Sequence, residues 1–122
     1  MSLPRFSNVS YEQYWALREQ SDEWLEYIDG AVYMAPSPSI KHQFVSSNLH
    51  TEFGLYFRGK PCNVFAAPTD IELVSDKFPD RKVVIPDLSV ICDSKGFTET
   101  KYVGVPTLIV EILSSSNQAH DL

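Results

Sequence analysis

Thr107-Leu108-Ile109-Val110-Glu111-Ile112-Leu113 reads as a strand buried on both faces, with one acid in its middle. Short aliphatic runs of this kind fit strands covered by layers above and below. An ionised carboxylate in such a run costs on the order of several kcal/mol to desolvate unless a cation meets it. A second acid has a similar setting: Asp87 follows Pro86 within Val83-Val84-Ile85-Pro86-Asp87-Leu88-Ser89-Val90-Ile91. Two carboxylates on two apolar strands point to a shared cation, and a divalent metal suits hard oxygen ligands. The two strands are expected to be neighbours.

The elements around these strands follow from local signals. Ser10-Tyr11-Glu12-Gln13 fits a capping box and opens a helix from Tyr11 to Gln20. Trp24-Leu25-Glu26-Tyr27-Ile28 and Ala31-Val32-Tyr33-Met34-Ala35 flank Asp29-Gly30, a strong hairpin signal. Ser39 caps a longer helix from Ile40 to about Arg58, with Gly59 as its C-terminal stop. Asn63 to Ala66 and Thr69 to Val74 read as strands, and Ser75 to Lys82 as a charged hairpin loop. A polar segment from Asp93 to Lys101 and the turn Gly104-Val105-Pro106 precede the Glu111 strand. Ser114-Ser115-Ser116-Asn117 reads as a helix start about one turn before Leu122, the ending expected of a fragment of a longer protein.

The 122 residues make a single domain, 1–122, with an ordinary globular balance of 43% hydrophobic and 21% charged residues. No stretch approaches a membrane span and Met1 to Arg5 lacks the apolar core of a signal peptide, so a cytoplasmic setting is expected. Cys62 and Cys92 stand alone in apolar context, which favours reduced core thiols over a disulfide there. A net charge of −6 argues against a nonspecific, charge-driven nucleic-acid binder. It leaves room for a nuclease, because metal-site acids are offset by the ion they bind.

Other candidate groups carry blander readings. Pro79-Asp80 adjoins Arg81 and Lys82 and reads as a solvated turn. Asp70 and Glu72 share one strand face, expected to be wet. His42 and His50 lie eight apart, which is wide for a helical metal pair, so both read as surface or packing residues, although His42 could touch substrate. The serines Ser114 to Ser116 lack a nucleophile elbow, and the five glycines form no phosphate loop.

Six blocks occur in order: Leu25-Glu26-Tyr27-Ile28-Asp29-Gly30; Pro36-Ser37-Pro38 with His42-Gln43; Pro68-Thr69-Asp70-Ile71-Glu72-Leu73; Pro86-Asp87-Leu88-Ser89-Val90; Tyr102-Val103-Gly104-Val105-Pro106; and Val110-Glu111-Ile112-Leu113-Ser114. Together they resemble the Uma-type family of bacterial restriction endonucleases, within the PD-(D/E)XK nuclease superfamily. The resemblance implies an α/β fold with a bent, mixed central sheet and flanking helices. It implies Asp87 and Glu111 as catalytic acids that hold Mg²⁺ or Mn²⁺, helped by the Ile112 carbonyl, with Glu26 supporting the ion or its water. The superfamily lysine two residues after the second acid is replaced by Leu113. In the resembling family a lysine follows later, after an acid that Asp121 would match, and Lys101 is the nearest substitute to suggest within this sequence.

The implied function is metal-dependent hydrolysis of DNA phosphodiester bonds. DNA is the implied partner, no membrane is involved, and a homodimer or larger homo-oligomer is expected. Two other classes remain open: a catalytically inactive nuclease-fold module that binds DNA or protein, and an assembly subunit that self-associates through an unpaired sheet edge.

Overall fold

The computed structural model describes residues 3–113. Among them lie two α-helices and eight strands: α1 (Tyr11–Gln20), β1 (Leu25–Ile28), β2 (Ala31–Met34), α2 (Ile40–Phe57), β3 (Asn63–Ala66), β4 (Ile71–Ser75), β5 (Phe78–Val84), β6 (Leu88–Ile91), β7 (Tyr102–Gly104) and β8 (Leu108–Val110). The mix of helices with parallel and antiparallel strands is an α+β fold.

The locally coded elements form for the reasons their residues suggest. Ser10 Oγ accepts the Gln13 N–H at 3.1 Å, and Gln13 Oε1 accepts the Ser10 N–H at 2.8 Å, closing the capping box of α1. Asp29 and Gly30 both take left-handed backbone, with φ of 51° and 78°, as a tight two-residue hairpin turn requires. Ser39 Oγ caps α2 by accepting the His42 N–H at 3.0 Å.

The strands form two sheets where the sequence suggested one bent sheet. The larger has the order β2-β1-β5-β4-β7, and the smaller β3-β6-β8. The chain passes between them five times, and three of the passages, β3 to β4, β5 to β6 and β7 to β8, are short connections that carry a proline: Pro68, Pro86 and Pro106. Proline donates no ladder hydrogen bond, so it ends one pairing and frees the next strand to turn into the other sheet. One apolar cluster of Tyr14, Leu25, Tyr27, Val32 and Val83 lies between α1 and the larger sheet. A second joins the sheets through Ile71 and Tyr102 from the larger and Ile91 from the smaller.

Several sequence expectations are corrected. The charged run Ser75 to Lys82 is mostly strand: β5 starts at Phe78, and the β4–β5 turn is Asp76-Lys77. Asp80 therefore lies in a strand, not a turn, though it is exposed. The charges mislead because Arg81 and Lys82 pair across the sheet surface, with Glu72 and Asp29 respectively. Tyr102–Gly104 is a strand parallel to β4, invisible as such because its partner is remote in sequence. β8 is three residues long and lies at the edge of the smaller sheet, so Leu108 is exposed and Glu111 sits just past the strand end, not in its buried middle. Cys62 and Cys92 are joined in a disulfide, not reduced thiols, because the β3–β6 register brings them face to face. The expected helix start at Ser114 and the Asp121 position lie outside the described residues.

Candidate active site

Asp87 and Glu111 meet because of sheet register. β6 and β8 run antiparallel with Leu88 opposite Val110. One step further places Asp87, just before β6, beside Glu111, just after β8. Asp87 is held from both neighbouring strands: its carbonyl accepts the Ala67 N–H at 3.0 Å, and its Oδ2 accepts the Ile112 N–H at 2.7 Å.

Glu26 reaches the same place from the larger sheet. On β1, Leu25 and Tyr27 point into the core beneath α1, and Trp24, Glu26 and Ile28 face the other way. Glu26 Oε2 accepts the Ile85 N–H at 2.7 Å, on the segment that leads into Asp87. Trp24, Glu26, Asp87, Glu111 and Ile112 thus line one groove of about 610 Å³, closed on its far side by α2. The structure brings Asp87, Glu111, Glu26 and Ile112 together at one groove. What it shows of Ile112 is its N–H on Asp87.

His42 is the residue that sequence reasoning underrated. It sits on the first turn of α2, its side chain only 11% exposed, with Nε2 3.1 Å from Asp87 Oδ1 and Nδ1 3.2 Å from Gln43 Oε1. His50 lines the groove two turns later. Their spacing of eight was itself the signal, since it puts both rings on one helix face. Eight residues is too wide for a metal pair within one helix, and His42 finds its partner instead on the β5–β6 connection.

The electrostatics are those of crowded acids. Burial pushes the Glu111 carboxyl up to about 7, helped by the charges of Asp87 and Glu26; the nearby His42 and the Asp87 N–H act in the opposite direction. Burial, then the charge of Asp87, raises Glu26 too, against the Ile85 hydrogen bond. Among the described residues no three His, Cys, Asp or Glu side chains group tightly enough to form a ready cage for a metal. Mg²⁺ seldom needs one, because it commonly binds through one or two carboxylates and keeps several waters. Three oxygen-donor acids whose mutual repulsion is only partly offset by His42 and backbone N–H groups fit that kind of site.

Lys101 does not serve this groove. Its Nζ binds Glu72 Oε1 at 2.9 Å and the Tyr11 hydroxyl at 3.2 Å, and lies over the Trp15 ring. The face carrying Asp70 and Glu72 is not wet, because α1 covers it. Glu72 is 4% exposed, and Asp70 takes a two-pronged contact from Arg18 at 2.9 and 3.1 Å. Burial opposes ionisation of Glu72, but hydrogen bonds from Tyr11 and Lys101, with the Lys101 and Arg81 charges, outweigh it and hold its pKa below the usual range.

Two helices and eight strands among the described residues, in an α+β fold with parallel and antiparallel pairs, are consistent with a restriction-endonuclease-like domain. The chain belongs to the Uma2 family, described as "Putative restriction endonuclease", whose model matches residues 11–122. It is also 32% identical over 116 residues to an uncharacterized protein of Synechocystis sp., covering 95% of this chain and 59% of that relative. The chain thus spans less than two thirds of the relative's length. No helix among the described residues is long and apolar enough to cross a membrane.

Proposed function

We propose that this chain carries the catalytic groove of a metal-dependent endonuclease that hydrolyses DNA phosphodiester bonds. The observation that carries the reading is the placement of Asp87 and Glu111 side by side at the ends of β6 and β8, with Glu26 facing the same groove. Asp87 and Glu111 would hold Mg²⁺ or Mn²⁺, with the Ile112 carbonyl as a backbone ligand. Bound there, the ion supplies Lewis-acid polarisation of the phosphodiester and a water of lowered pKa. Glu26 carries a raised pKa and is suited to accept a hydrogen bond from, or a proton of, a water beside that ion. His42 holds Asp87 in orientation from the α2 side.

A second reading, a nuclease-fold module without activity, draws on one observation. Among the described residues the groove lining contains no lysine or arginine; its basic groups there are His42 and His50. Incubation of the chain with plasmid and Mn²⁺ separates the two. The nuclease reading expects nicking or linearisation that disappears with EDTA and in Asp87→Asn and Glu111→Gln. DNA binding without cleavage in the wild type, with Mn²⁺ present, supports the inactive module.

A further inference from the structure

We propose that the groove takes one unpaired polynucleotide strand, with the Trp24 and Tyr33 rings as stacking platforms for bases beside the acids. This deepens the nuclease reading above and rests on it. The β1–β2 hairpin has two dissimilar faces. One supplies the core through Leu25, Tyr27 and Val32, which are 4%, 7% and 0% exposed. The other presents Trp24, Glu26 and Ile28 to the groove, and the register sets Tyr33 directly across from Glu26. Trp24 is 39% exposed, so its ring remains open to solvent at the groove. An exposed indole and a phenol ring flanking a recessed carboxylate offer two faces on which a base can stack.

The opposite wall supports the same ligand. There α2 presents Gln43, Ser46, Ser47 and His50 along one face, all hydrogen-bonding side chains without fixed charge. Proteins that grip duplex DNA do so mainly by neutralising phosphates with lysine and arginine. Among the described residues this groove has neither, in a chain of net charge −6. Stacking is the affinity source that needs no cation, and it requires bases freed from a duplex. Access is restricted at Asp87, whose side chain is only 19% exposed, while Glu111 beside it is exposed. A single strand bends into such a groove, and a stiff duplex carries its phosphates along a convex outer surface.

Fluorescence anisotropy with end-labelled oligo-dU, oligo-U and a duplex of equal length tests this, with Ca²⁺ replacing Mg²⁺ to limit turnover. The expected result is that at least one single strand binds ten or more times tighter than the duplex, on the order of one stacking contact. The tighter of the two single strands names the sugar. Trp24→Ala is expected to weaken single-strand binding about tenfold and Trp24→Phe to restore most of it, both with an unchanged circular dichroism spectrum. Duplex binding equal to or tighter than both single strands overturns the proposal, and so does an unchanged affinity in Trp24→Ala. A parallel Mn²⁺ cleavage assay keeps the two claims apart. Cleavage of duplex without single-strand preference ends the stacking proposal and leaves the nuclease reading standing. Single-strand preference without cleavage upholds the platform and ends the nuclease reading.

Discussion

At the scale of residues, four side chains define the groove's chemistry: Glu26, His42, Asp87 and Glu111. His42 touches Asp87 and positions it, so His42→Ala is expected to lower metal affinity or cleavage rate by roughly ten- to a hundredfold, the usual effect of removing a ligand's hydrogen-bond partner. Calorimetric Mn²⁺ titration and single-turnover cleavage check this; His42→Gln, which can still donate, should recover part of the loss. Glu111 gives a pH signature. Its folded pKa of about 7 lies above the usual carboxylate value, so between the two values the native state holds a proton that the unfolded chain has lost. Stability without metal therefore falls as pH rises through that window. Glu111 is exposed, so solvent screens part of the effect. Melting curves of wild type and Glu111→Gln from pH 4 to 8 should diverge, the variant gaining relative stability toward pH 8. Parallel curves would contradict the crowding of Glu111 by Asp87 and Glu26. Asp87 and Glu111 were legible in the sequence because acids stand out within aliphatic runs. His42 was not, because its partner comes from an element 45 residues away in the chain.

At the scale of elements, what was legible is what is coded locally. The capping box of α1, the Asp29-Gly30 turn and the Ser39 cap of α2 each depend on residues within one turn of each other. β5 and β7 were misread because their reasons are remote: β5 becomes a strand by pairing with both β1 and β4, and β7 by lying parallel to β4. Burial of Glu72 was missed for the same cause, since Tyr11 and Lys101 reach it from α1 and from the segment before β7. Removing that carboxylate leaves the half-buried Lys101 ammonium with the neutral Tyr11 hydroxyl and no counter-charge. Glu72→Ala is expected to cost about 1–3 kcal/mol at pH 7 in urea unfolding. The folded pKa of Glu72 is lowered, so its contribution is present above the unfolded carboxylate value and vanishes as pH falls through the folded one. The gap between wild type and variant should therefore close in acid. A gap that persists unchanged at pH 2 would assign the loss to packing instead.

At the scale of the whole molecule, repeated passages, three of them short and proline-bearing, divide the strands between two sheets, and the groove lies where those sheets and α2 meet. Glu26 belongs to one sheet, Asp87 to a passage between the two, and Glu111 to the end of the other. The strands themselves could be read from hydrophobic runs, but their division could not, because one bent sheet and two sheets share the same alternation of apolar residues. The Cys62–Cys92 bond likewise depends on a pairing that no local spacing announces. The central claim is that this convergence makes a divalent-metal site. Calorimetric titration of Mn²⁺ into the chain and into the Asp87→Asn plus Glu111→Gln variant, both folded by circular dichroism, tests it most directly. The account predicts micromolar binding to the wild type and its loss in the variant. Undiminished binding to the variant, or none to the wild type, would contradict it.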